Sequence, residues 1–189
     1  KGQELINSAK VTNLAADFKN IPGFIYGYQD KFKSLPGDDS AAVSHVGATA
    51  AGNGNGIIGG KWLPATAATD ETSLFWQHVR LAGLAAGTTT TSDADFQPKN
   101  AVGGKLGIQA GSTAGITGLR GSYIICSESI LGKFARQIDT NLDDGTTTTG
   151  SVMVTDQTGA QMQAAASSVA AVGLTTTNDE TPYTVCMGF

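Results

Sequence analysis

Few residues in this sequence are of a type and spacing that could do chemistry. They are two cysteines, two histidines, a handful of acidic pairs and one glycine–asparagine run. Cys126 and Cys186 form an even pair in a chain rich in Gly and Thr and poor in charge, a setting that suggests a disulfide made in an oxidising compartment. Two buried free thiols in a cytosolic protein is the other reading. A bridge would close a loop of about 60 residues, worth at most roughly 4 kcal/mol by loop-closure entropy. It would pin Val185-Cys186-Met187 to the strand Tyr123-Ile124-Ile125-Cys126.

The histidines do not assemble a recognisable centre. His45 lies among small loop residues, and His78 sits beside Trp76 on a predicted helix, where a core-edge role is expected. Neither HxxxH nor CxxC spacing occurs, so no zinc site is assigned. Gly121-Ser122 and Gly150-Ser151 do not match the GxSxG turn of a serine nucleophile, and Thr/Ser richness without a base in reach activates nothing. We therefore expect no catalytic residue, no cofactor and no enzymatic activity.

Two places could offer oxygen ligands to calcium. Gly52-Asn53-Gly54-Asn55-Gly56, with Asp38 and Asp39 upstream, has the glycine density of a phosphate loop but no following Lys-Ser/Thr. It also lacks the alternating carboxylates and final Glu of an EF-hand. Asp143-Asp144, with Asp139 one helical turn earlier, is the second. Acidic groups at a helix C-terminus oppose its dipole, so they should have partners such as Arg136, Lys133 or backbone amides. Neither place is assigned as a metal site.

The element that must position everything else is the first 35 residues. Val11, Leu14, Phe18, Ile21, Ile25, Tyr28, Phe32 and Leu35 recur at threes and fours without a slip, with Lys10, Asn13, Asp17, Lys19, Asn20, Asp30 and Lys33 opposite. Some 30 helical residues would span about 45 Å, against a radius of gyration near 16 Å for a chain of this length. Pro22 predicts a kink near residues 18–23 within one helix rather than a break. Leu35-Pro36-Gly37-Asp38 should end it. The second half of the stripe is expected to pack on its own domain. The first half, with a charge-poor flank, is available for a subunit contact.

A Gly/Ala/Asn loop follows over 37–60, then a helix from Asp70 or Glu71 to about Ala86. Asp70 is the expected N-cap, with Leu74, Phe75, His78, Val79 and Leu81 as its apolar face and Gly87 as its end. Strands are predicted at Lys105–Ile108, Gly121–Cys126, Ser151–Thr155 and Tyr183–Met187, with a helix at Ser129–Leu142. Residues 161–172 fit either helix or loop. The runs Thr88–Thr91, Thr146–Thr149 and Thr175–Thr177 read as exposed loops, with O-glycosylation left open.

Composition narrows the classes. The 189 residues suit one domain; 40% are hydrophobic, so a real core is possible, but only 15% are charged against roughly 25% in ordinary soluble domains. The net charge of −4 and scattered lysines argue against nucleic acid as a partner. No run of 18 apolar residues is present to span a membrane. The stripe runs into Lys1 in mid-pattern, and we expect a processed or truncated chain.

Four segments then carry a family resemblance. Tyr28-Gln-Asp-Lys-Phe32 leading into Leu35-Pro-Gly-Asp-Asp39, Phe75-Trp-Gln-His-Val-Arg-Leu-Ala-Gly83, Ile138-Asp-Thr-Asn-Leu-Asp-Asp-Gly145 and Thr149-Gly-Ser-Val152 resemble the pilin-like proteins of bacterial type IV pili and type II secretion. The resemblance implies a short leader, a methylated N-terminus and an apolar first half of the helix. That half would anchor the subunit in the inner membrane of a Gram-negative bacterium and later form the filament core. Glu4 lies on the water-soluble side and is not the family's N-terminal glutamate. The family also implies a C-terminal loop closed by a disulfide, matching Cys126 and Cys186.

The expectation is thus an α+β, pilin-like fold: a long N-terminal helix on a small, mostly antiparallel sheet, with two further short helices. Residues 1–35 would be the soluble half of the spine and 36–189 the globular head, one folded unit with it. Partners would be copies of itself and other pilins, and the location an extracellular pilus. Major pilin, minor pilin and pseudopilin are not separated, nor are adhesion, motility, DNA uptake, secretion and electron transfer along Phe18, Tyr26, Tyr28 and Phe32. The competing reading is a secreted adhesin or glycan/calcium-binding module, with Trp62 or Trp76 as an exposed aromatic platform.

Overall fold

One apolar face repeating every three or four residues makes a helix that must be covered, and the head is built to cover it. In the computed structural model, which describes residues 1–189, α1 (Gly2–Phe32) is a single helix of 31 residues, about 46 Å long, running through Pro22 without interruption. Val11, Leu14, Phe18, Ile21, Ile25 and Tyr28 are all buried, so the predicted stripe is the core face. The helix ends three residues earlier than the sequence suggested. Lys33 turns into the left-handed region (φ 57°), and its N–H donates to the Gln29 carbonyl, closing the last turn before Pro36 is reached. Phe32 and Leu35 are therefore half-buried flanks of the core, and Leu35 is not helical.

The segment 37–60, expected to be one loop, contains a five-residue helix, α2 (Ala42–Val46), which carries His45. Next comes α3 (Glu71–Leu81), shorter than predicted. Its C-cap is Ala82, and Gly83 (φ 76°) supplies the turn expected of Gly87. Asp70 holds the N-cap position, but its carboxylate accepts from the N–H groups of Ala65 and Thr66 rather than from the helix. Leu81, predicted on the apolar face, is 36% exposed.

The remaining elements are β1 (Leu106–Ala110), β2 (Tyr123–Leu131), α4 (Gly132–Leu142), β3 (Val152–Thr155), α5 (Gly159–Ala164), one 3-10 turn (Thr176–Asn178) and β4 (Pro182–Gly188). The open segment 161–172 thus holds only the end of a short helix. The predicted start of the helix at Ser129 belongs to β2 instead. A register shift between Ser127 and Ile130, with Ser129 at φ 62°, bends that strand and carries it on to Leu131.

The four strands form one antiparallel sheet in the order β1-β2-β4-β3, so the last strand of the chain lies between two earlier ones. Side chains alternate across it. Ile108, Ile125, Val152, Val154 and Val185 join the α1 core, while Ile124, Cys126, Met153 and Cys186 face a second cluster with Trp62, Ile116, Leu119 and Met162. On that second face, a Cβ at Gly107 would sit 2.1 Å from the Trp62 carbonyl, so glycine lets the 62 segment lie directly on β1.

The architecture is α+β, as expected, with four short helices beside α1 rather than two. Cys126 and Cys186 are bonded to each other, as paired residues on adjacent strands. Both are fully buried. The bridge therefore fastens β4 into the sheet centre across 60 residues of sequence. Replacing both cysteines with Ala should cost about 2–4 kcal/mol in chemical denaturation. A loss below about 0.5 kcal/mol would show that the strand pairing holds β4 without the bridge.

Candidate functional site

Two surfaces of α1 have different fates. The head covers the stripe from Val11 onward, but Leu5 and Ile6 stand 72% and 52% exposed. Neither continues the stripe's spacing; Asn7 does, and it is half-buried. Leu5, Ala9, Thr12 and Ala16 repeat at four, three and four on the side turned away from the core, and only Ala16 is partly covered. This outer stripe carries no charge. Beside it, Glu4, Asn7 and Ser8 of α1 and Lys133, Phe134, Arg136, Gln137 and Thr140 of α4 line an open cleft of about 410 Å³.

The other end of α1 is held by buried carboxylates. Asp39 accepts from the Tyr28 hydroxyl (2.6 Å), lies 2.7 Å from His45 Nδ1 and accepts the Ala41 N–H (2.9 Å). Burial pushes this carboxyl up, but its donors outweigh burial and hold it below the usual range. Tyr28 is pushed the other way, by burial first and then by Asp39. Asp38 accepts from the N–H groups of Asn55 (3.0 Å) and Gly56 (2.8 Å), and Glu71 from those of Asn53 (2.8 Å) and Gly59 (2.7 Å). The glycine–asparagine run is thus wrapped onto carboxylates through its own backbone. Both oxygens of Asp38, named with this run as possible calcium ligands, thus accept backbone amides. Gly37 (φ 86°) makes the tight entry, where a Cβ would meet the Glu71 carbonyl at 2.4 Å.

His78 is fully buried rather than at the core edge. The Gly37 N–H donates to its Nδ1, so the proton resides on Nε2, which lies 3.1 Å from the Ala50 carbonyl. Burial holds it below its ordinary value, and the ring serves as a neutral strut. Trp62 and Trp76 are 1% and 3% exposed, so neither forms the aromatic platform that a glycan-binding module would need. Of the four aromatics considered for electron transfer, Phe18 and Tyr28 are core, Phe32 packs 4.7 Å from Tyr28 between ring centres, and Tyr26 alone is exposed. In the middle threonine run Thr147 is buried. Its hydroxyl donates to the Val172 carbonyl and accepts from the Leu174 N–H, correcting its reading as exposed loop.

At the end of α4, Asp139, Asp143 and Asp144 each bring a carboxylate oxygen within 4.8 Å of the others. The basic partners expected for them are engaged elsewhere, Arg136 with Asp179 and Lys133 with Glu180. Backbone amides do serve them: Gly145 for Asp139, Ser151 and Val152 for Asp143, and Thr146 for Asp144. Asp139 is pushed up to about 6 by burial and by the two neighbouring carboxylates.

No helix is long and apolar enough to cross a membrane. No known protein-family model matches the chain, and no curated protein matches it.

Asp17 lies on the face read as polar, yet it is half-buried in a groove with Ile21, Phe24, Trp76 and Pro98, and burial raises its carboxyl to about 6. A carboxyl raised on folding destabilises the fold where it is ionised and stops doing so once protonated in both states. Asp17→Asn should therefore stabilise the protein at pH 7–8 by roughly 1–2 kcal/mol, less than the full linkage value because the group keeps part of its water. The gain should shrink as pH falls through about 6 and vanish below about 4. Denaturation midpoints of parent and variant across this range check it; a gain independent of pH would contradict it.

Proposed function

We propose that this chain is a structural subunit of a bacterial type IV pilus or pilin-like filament, polymerising through its N-terminal helix with the head as filament surface. The observation that carries the reading is the exposed apolar surface at the start of α1, where Ile6 stands beside the charge-free outer stripe that begins at Leu5. Leu5 and Ile6 are large apolar residues on a helix whose own domain does not use them. Burying both against neighbouring copies would contribute about 2–4 kcal/mol per subunit, before the entropy of association. That contact would add to the larger burial of the spine's apolar first half, which in this reading forms the filament core.

The resemblance at Tyr28–Asp39, Phe75–Gly83 and Ile138–Val152 supports the same reading. So does a head whose last strand is locked by a disulfide, which suits a surface that bears load outside the cell. In this reading the apolar first half of the spine anchors the subunit in the inner membrane before assembly. The helix stripe Val11–Tyr28 keeps the head fixed to the spine, and the outer stripe meets the neighbours.

The test is Leu5→Glu with Ile6→Glu in the full-length protein of the producing bacterium. Surface filaments seen by electron microscopy should fall at least about tenfold, while the purified head keeps its melting temperature, because neither residue packs on it. Filaments at parental abundance would contradict the assignment.

A further inference from the structure

We propose that Asp139, Asp143 and Asp144 bind a calcium ion that locks the end of α4 to the start of β3. The reading is independent of filament assembly. Asp139 lies in the last turn of α4, Asp143 is its C-cap and Asp144 follows. Three carboxylates gathered at the negative end of a helix dipole repel one another and the dipole, unless a cation sits among them.

The hydrogen bonds leave an opening of the right kind. Asp143 Oδ2 accepts the N–H groups of Ser151 and Val152. Asp144 uses Oδ1 for the Thr146 N–H and Oδ2 for the Thr149 hydroxyl. Asp139 Oδ1 accepts the Gly145 N–H. Asp139 Oδ2, on a residue with no exposed surface, has no partner of any kind. A buried carboxylate oxygen left bare is costly. Arg136 and Lys133, the closest basic residues in sequence, are held by Asp179 and Glu180.

The donor set selects the ion. All three ligands are carboxylates, with no nitrogen or sulfur, which favours a hard cation over zinc or copper. Oxygens sharing one calcium at about 2.4 Å can stand at most about 5 Å apart, and these lie within 4.8 Å of one another. Magnesium demands a tight octahedron and keeps several of its waters, whereas calcium accepts a looser shell completed by carbonyls and water. Three carboxylates on a partly exposed loop suit the weak range of extracellular modules, about 10⁻⁴ to 10⁻³ M.

Calcium would then hold the turn 143–151, where Gly150 already passes so close that a Cβ would meet Asp143 Oδ2 at 1.9 Å. Through Asp143 and the amides of Ser151 and Val152 it would fix the edge strand β3, and through Asp139 the helix lying against the spine.

The experiment uses the full chain stripped with EGTA, with thermal melts and calorimetry in calcium chloride or magnesium chloride at about 10 mM. Calcium should raise the melting temperature by about 5 °C and bind one ion per chain, with magnesium giving a much smaller shift. Asp139→Asn, which removes a buried charge, should melt in EGTA at or above the parent temperature and gain nothing from calcium. Asp144→Asn, at an exposed position that leaves the fold intact, should weaken calcium binding at least about tenfold. A parent melt unmoved by calcium and no binding heat would overturn the proposal. Equal shifts with magnesium, or parental binding in Asp144→Asn, would do the same.

Discussion

Burial of one face of α1 is the constraint on which the rest of the structure depends. Six side chains from Val11 to Tyr28 lie on that face and are inaccessible to water. Each would lose roughly 1.5–3 kcal/mol of transfer free energy if uncovered. A helix this long cannot be covered by one neighbour. The inner sheet face, α3 and α4 each take a share, and all contribute to a single cluster of 22 buried residues with it. The sheet's right to exist follows from the same fact, because its inner face has no other apolar surface of comparable length to pack on. Where the head ends, the covering ends, and the helix keeps an unused apolar side.

The second constraint is electrostatic and works at the opposite end of the spine. A segment with the glycine content of 37–60 has a large conformational entropy and little apolar surface with which to offset it. Asp38, Asp39 and Glu71 supply the order instead. Each is buried, and each accepts backbone N–H groups or the Tyr28 hydroxyl. Hydrogen bonds to a charged acceptor contribute more than neutral ones, about 1.5–3 kcal/mol each, which compensates for taking a carboxylate out of water. Part of the chain's small complement of charge is thus spent inside. The disulfide plays the matching part on the far face of the sheet, holding the final strand between two strands that precede it.

Legibility of all this in the sequence depended on how local the cause was. The stripe of α1 could be read because its period lies within single turns. The strand centres could be read because β-branched residues cluster between glycines. The end of α1 could not, because nothing in Lys33 announces a left-handed residue; Pro36 was the visible stop and the true one came first. Helix α2 was hidden by being one turn long, and β2 was cut short because Leu131, Phe134 and Ile138 look helical before the helix has begun. Burial of Trp62 and Trp76 rests on packing with residues far along the chain, so their exposure could not be judged. The carboxylate-to-amide bonds of the 37–60 segment join residues 12 to 18 apart, beyond any local pattern. A pair of aspartates before a Gly-Asn-Gly-Asn-Gly run was the available signal, and it does not show which donors the aspartates take. For Asp139, Asp143 and Asp144 the spacing was visible, but the bare oxygen was not.

In the reading proposed above, α1 is the water-exposed part of a longer spine. The most direct test is the N-terminal sequence and intact mass of the mature protein isolated from the surface of the cells that make it. About 20 apolar residues ahead of Lys1, in helical phase with Val11, and a methylated first residue are the expected result. A mature protein that begins at or near Lys1 and is released freely into the medium would contradict it.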